Sequence, residues 1–127
     1  MQDRGWWLTA AMSGALVVIA GAFGAHALEG QLAPRLAAAF ETGVRYQAWH
    51  TLALLAVLAW RASTPLPWQR LAMGLWVTGT LLFTGSLIAL ALSGIGALGM
   101  ITPLGGVLMI AGWLALAVCV LCAQRSR

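Results

Sequence analysis

Four long apolar runs constrain this chain more than any other feature. They cover roughly residues 6–28, 43–60, 70–92 and 104–122, with short polar or Gly/Pro-containing breaks between them. Each run is close to the ~20 residues a helix needs to cross a hydrocarbon core about 30 Å thick. No water is available there to satisfy the backbone, so each run must close its N–H and C=O bonds within itself as a helix. Composition agrees, with 61% hydrophobic and 8% charged residues, against about 25% charged in a soluble domain. The 127 residues hold four spans and leave no length for a soluble domain beside them. The expected fold is all-α: one polytopic membrane domain, residues 1–127, of four antiparallel transmembrane helices in a compact bundle.

The breaks carry turn chemistry. Glu29, Gly30, Gln31 and Pro34 follow the first run, and Pro34 suits the first turn of a following helix. Pro65 and Pro67 interrupt the chain after Arg61, and Ser93 to Pro103 is rich in glycine and proline. Residues 35–42 lie between the first turn and the second run and are partly interfacial in character. The first run also imitates a cleavable signal peptide, with Arg4 ahead of it and Ala25-His26-Ala27 at its end. Its apolar stretch of about 20 residues exceeds the usual 7 to 15, so it is read as a retained span. Arg4, Arg61, Arg70, Arg125 and Arg127 fall on one side, and Arg35 and Arg45 on the other. The positive-inside rule then places both termini in the cytoplasm of a bacterial inner membrane. These arginines are scattered topology signals and form no nucleic-acid patch.

The hydrogen-bonding chemistry concentrates between Glu41 and His50. On a helix, Gly43, Tyr46, Gln47 and His50 share one face, while Glu41 and Arg45 lie one turn apart on roughly the opposite one. With the assigned orientation, His26, Ser86 and Thr102 join them in the outer half. The candidate polar cluster is therefore His26, Glu41, Arg45, Tyr46, Gln47, His50, Ser86 and Thr102. Small residues form the candidate packing surfaces: Gly14, Gly21 and Ala25 on the first helix, Gly85 on the third, and Gly105, Gly106 and Gly112 on the fourth. Such residues let helices approach closely in lipid.

Gly21-Ala22-Phe23-Gly24-Ala25-His26-Ala27-Leu28 begins a longer pattern. It continues through Glu41-Thr42, Tyr46-Gln47, His50, Gly85-Ser86, Ile101 to Gly106 and Gly112-Trp113. In this the chain resembles the YgdD/YwdK family of small bacterial inner-membrane proteins, a domain of unknown function (423). That family is itself similar to a small mitochondrial membrane protein of animals. The resemblance implies four spans. It supplies no reaction and no catalytic residue.

Each candidate has a plain structural use beside the functional one. His26 and His50 are imidazoles on consecutive antiparallel helices and would suit a metal or haem if they met. Interhelical hydrogen bonding is the more ordinary use of such residues in lipid. Their depths differ, because His26 lies at the end of its span and His50 lies well inside the next. Glu41 and Arg45 have the favourable i, i+4 order, worth about 0.3–0.5 kcal/mol if exposed and obligatory if buried. Cys119-x-x-Cys122 lies at the cytoplasmic end of an apolar helix, with no histidine nearby to complete a zinc site, and reads as packing.

The adopted reading is a non-enzymatic interaction or assembly-type membrane protein without a cofactor or resident metal. Its partners are membrane lipids together with a membrane protein or a second copy of the chain. Two alternatives stay open. One is a binding site for metal, haem, quinone or lipid headgroup built on His26 and His50. The other is a small carrier or proton-coupled transporter, against which stands the absence of an acidic residue from the first span.

Overall fold

The computed structural model describes residues 2–125. Among them are four α-helices and one short 3-10 turn, with no strand. Helix α1 is Arg4–His26, α2 Pro34–Ser63, α3 Gln69–Ser93 and α4 Thr102–Arg125, with the 3-10 turn at Gly96–Met100. Three segments are long and apolar enough to cross a membrane: Arg4–His26, Gln69–Ser93 and Gly96–Gln124. Helix α2 is the longest, at 30 residues, but Arg35, Glu41, Arg45 and Arg61 lower its hydropathy. Ser126 and Arg127, part of the basic tail expected to mark the cytoplasmic side, lie outside the described residues.

Proline and glycine set the helix ends. Pro34 opens α2, where its missing N–H would have had no partner, and Ala33 before it is extended at φ −56°, ψ 146°, as a residue preceding proline must be. Helix α2 ends at Ser63, and Thr64, at φ −140°, ψ 84°, has left the helical region before Pro65. Gly94, at φ 71°, supplies the left-handed residue that closes α3, its N–H bonding Leu90 O.

The helices pack in chain order, α1 on α2, α2 on α3, and α3 on α4. Their backbones do not close into a ring: α1 lies at one edge and α4 at the other. Only Ala10 of α1 is buried, whereas α2 buries Phe40, Gly43, Val44, Gln47, His50, Thr51, Leu54, Val57 and Leu58. The core therefore sits on α2. Its main cluster joins Ala10, Leu54, Val57, Leu58, Met73 and Trp76, flanked by Trp6 and Trp7.

The α3–α4 contact is the closest. A Cβ placed on Gly79 would lie 2.8 Å from Gly105 O and 2.9 Å from Met109 N, and one on Gly105 would overlap the backbone of Phe83. One on Gly112 would meet Trp76 Nε1 at 2.6 Å and Ala72 O at 3.1 Å. Gly106 sits more loosely, 3.8 Å from the Phe83 ring by the same measure. On the other side of α3, Gly43 admits Leu87 and Thr84 against α2, and Gly24 of α1 admits the Phe40 ring. Gly14 faces Thr51 at 3.8 Å, while Gly21 and Gly85 face open space and Ala25 is exposed. Of the small residues expected to pack on α1, Gly14 meets α2 whereas Gly21 and Ala25 face away from it, and farther along α1 stays against α2 through Val17, Ala20 and Gly24.

Candidate functional site

At mid-length, α1, α2 and α3 enclose a groove of about 680 Å³ whose base is α2. Its polar residues form a directed chain of hydrogen bonds. The Gln47 amide nitrogen donates to Ser13 O and Ser13 Oγ, both at 3.2 Å. Ser13 Oγ and Thr51 Oγ1 are 2.7 Å apart. Because Thr51 donates to the backbone oxygen of Gln47 at 2.8 Å, the proton between the two hydroxyls comes from Ser13. Helix α1 is thereby held to α2 at one point by residues of a single turn, Gln47 and Thr51.

His50 lies beside this chain, facing α4. Nδ1 is 2.7 Å from Tyr46 O, and Nε2 is 3.1 Å from Trp113 Nε1. A carbonyl only accepts and an indole N–H only donates, so His50 is the neutral Nδ1–H tautomer. Both nitrogens are engaged, and the ring bridges α2 and α4 across α3. Trp76 and Trp113 meet its ring edge-on, with centroids 6.1 and 6.0 Å away. The buried Trp76 N–H is the one enclosed side-chain polar atom without an acceptor among the described residues. It faces the gap left by Gly112.

Two further hydroxyl contacts tie α3 to its neighbours. Thr84 Oγ1 donates to Gly43 O at 2.7 Å, joining α3 to α2. Ser86 Oγ donates to Phe83 O at 3.0 Å and lies 2.6 Å from Thr102 Oγ1, so Thr102 supplies the proton that ties α4 to α3.

The structure divides the expected cluster. Gln47 and His50 are neighbours on the floor, with Tyr46 beside them packed on Phe83 and Trp49. Ser86 and Thr102 form a separate pair. His26 ends α1 as an exposed residue and is not brought to His50. Glu41 and Arg45 are both exposed, and the ion pairs among the described residues are made elsewhere. Glu41 instead lines a separate recess with Glu29, Gly30 and Phe40, at the end of α1. The buried Glu41–Arg45 pair considered from sequence does not form: both side chains are exposed, and no ion pair joins them among the described residues. Cys119 is buried in α4 as a packing residue.

Several residues that hold the structure escape the sequence reading. Ser13 and Thr51 look like isolated hydroxyls in apolar runs, although Thr51 stands one turn after Gln47. Thr84 bonds a neighbouring helix and not its own carbonyls. At the end of the molecule where α1 begins, Asp3 accepts from Arg61 Nε at 2.8 Å and from Arg70 Nη2 at 3.0 Å. The Arg70 hydrogen bond, with further help from Arg61, holds the Asp3 carboxyl below its usual value against the opposing effect of desolvation. Arg61 also reaches Leu66 O and Gln69 Oε1, and the fully buried Gln69 amide caps Leu66 N and Thr64 O. This net over-determines the α2–α3 turn, in which Trp68 adopts a left-handed φ of 72°, a conformation that costs a non-glycine residue roughly 1–2 kcal/mol. The signal for the clamp was present as Asp3, Arg61 and Arg70 at three consecutive helix ends on one side.

The comparisons with known proteins agree with a membrane protein of this size. A UPF0382 membrane protein of Haemophilus influenzae is 44% identical over 107 residues, covering 84% of this chain and 86% of its own. The UPF0382 inner membrane protein YgdD of Escherichia coli K12 is 40% identical over 116 residues, 89% of this chain and 86% of its own. A UPF0382 membrane protein of Staphylococcus haemolyticus is 46% identical over 98 residues, 76% and 78% of the two chains. No solved structure matches. Residues 20–106 match the model of a family described as proteins of unknown function. This stretch includes Gln47, Thr51, His50 and the Ser86–Thr102 pair, and the chain is a multi-pass membrane protein that belongs to the DUF423 family.

Proposed function

We propose that this is a non-enzymatic, assembly-type protein of the bacterial inner membrane, with four spans and both termini cytoplasmic. The observation that carries this reading is the use of its polar groups. Ser13, Gln47, His50, Thr51, Thr84, Ser86 and Thr102 each make a hydrogen bond to another helix. They act as locks, and neither nitrogen of His50 is open to a metal. The same locks hold α1 out as an edge helix, with Val18 and Ile19 exposed at 71% and 63%. That face is a surface for a second copy or another membrane protein.

Helix α2 counts as the fourth span because it runs beside α1 from the Asp3–Arg61 contact at one end to the Gly24–Phe40 contact at the other. Its charges near the outer end sit on exposed faces, where long side chains reach the interface. Naming of the E. coli relative as an inner membrane protein supports the location. Native mass spectrometry of the protein extracted from its own membrane tests the reading. The expected result is a complex of more than one polypeptide that Val18→Trp weakens. A single chain carrying a metal or haem lost on His26→Ala or His50→Ala would overturn it.

A further inference from the structure

We propose that the groove between α1 and α3 binds a neutral, lipid-soluble phenol of the isoprenoid quinol class, whose aromatic hydroxyl donates to Gln47 Oε1. The argument begins with the donors. Ser13, Gln47, Thr51 and Thr84 direct their protons to acceptors inside the fold. His50 does the same through Nδ1, Thr80 turns its hydroxyl to the Met109 sulfur, and Thr9 near the mouth donates to Gly5 O. The one unengaged donor, Trp76 Nε1, is enclosed beside Gly112 on the α4 side. What the floor offers is therefore acceptors alone. Chief among them is the Gln47 amide oxygen, which receives no hydrogen bond among the described residues although its side chain belongs to a residue only 8% exposed. The amide cannot turn over to hide it, because Ser13 O requires the nitrogen where it is. An acceptor held in an apolar setting favours a ligand that brings a proton to it.

Depth, charge and size narrow the class. Ser13, Gln47 and Thr80 lie roughly 14 Å or more along their helices from either end at 1.5 Å per residue. The head of a phospholipid or fatty acid, held at the interface, does not reach that level, whereas the weakly polar head of a quinol does. No acidic or basic side chain other than the neutral His50 lines the groove, so the ligand carries no charge. Met12 and Leu16 on one wall and Leu81 and Ile88 on the other form an apolar track for an isoprenoid tail. About 680 Å³ falls within the ~300–1,000 Å³ of small-molecule sites.

The test is thermal unfolding of the full chain in lipid nanodiscs with three probes: decyl-benzoquinol kept reduced, its oxidised quinone, and n-decanol. The quinol should raise Tm by several degrees. The quinone, whose carbonyls face Gln47 Oε1 acceptor to acceptor, and decanol, which has no aromatic head, should raise it much less. Gly85→Phe fills the groove where a new Cβ meets nothing within 4 Å, and Leu81→Trp fills it from an exposed position; either should abolish the quinol increment while leaving the unliganded Tm near that of wild type. Equal stabilisation by quinone or decanol would overturn the proposal, as would an increment that survives both filling variants. So would no increment with any probe, or a loss of self-association on filling the groove without any quinol effect, which would assign it to a second copy.

Discussion

At the scale of single residues, the local partners decide what each polar group can do. His50 illustrates this: its nitrogens are chemically distinct because one faces a carbonyl and the other an indole N–H. Gln47 is a comparable case, fixed in orientation by Ser13 and leaving only its oxygen unengaged. Trp113→Phe keeps an aromatic ring on α4 while deleting the donor to His50 Nε2. An interhelical hydrogen bond in a membrane averages about 0.6 kcal/mol, so the substitution should lower stability by about that amount in a detergent or nanodisc melt. Nitrogen NMR of labelled histidine should at the same time show the Nε2 resonance moving and Nδ1 remaining protonated. An Nε2 resonance indifferent to the substitution would mean that the bond does not form in the membrane.

At the scale of the helix, the seam between α3 and α4 and the edge position of α1 represent opposite ways of using small residues. Gly79 and Gly105 bring backbone against backbone, and a backbone cannot rotate aside as a side chain can. Gly79→Ala should therefore destabilise by about 1–3 kcal/mol, the range for overpacked sites, read as loss of thermal stability. Gly21→Ala, placed where nothing lies within 4 Å, should leave stability unchanged or slightly raised; a loss as large as that at Gly79 would indicate that α1 packs more closely in the membrane than in this fold. The sequence made the helices legible, because hydropathy and Pro34, Pro65 and Gly94 mark where water-free backbone must begin and end. It left the partners illegible: Gly21 and Gly79 are both glycines in apolar runs, and only the path of the neighbouring helix distinguishes them. The same limit separated His26 from His50, and it concealed Ser13 and Thr51, whose meaning depends on a register between helices that no local pattern encodes.

At the scale of the whole molecule, the arrangement turns on whether α2 crosses the membrane with its neighbours. If it does, the chain crosses four times and both ends emerge on one side; if it does not, three apolar segments put the ends on opposite sides. Two contacts argue for the first case. Asp3 joins Arg61 and Arg70 at one end of the molecule, and Phe40 packs on Gly24 at the other, so α2 spans the same length as α1. Arg4, Arg61 and Arg70 consequently gather at one end, opposite Arg35 and Arg45. Asp3 offsets part of that charge, but acidic residues contribute little to orientation compared with arginine and lysine. The end bearing Asp3 should therefore be cytoplasmic, and the C-terminus with it. Fusions placed after Arg127 should be active with a reporter that folds in the cytoplasm and silent with one that requires export. A second pair of fusions within the α1–α2 turn, at Gly30, should give the reverse pattern. An exported C-terminus together with an exported Gly30 would mean that α2 and the arginines it carries do not cross, leaving three spans and a helix held at the surface.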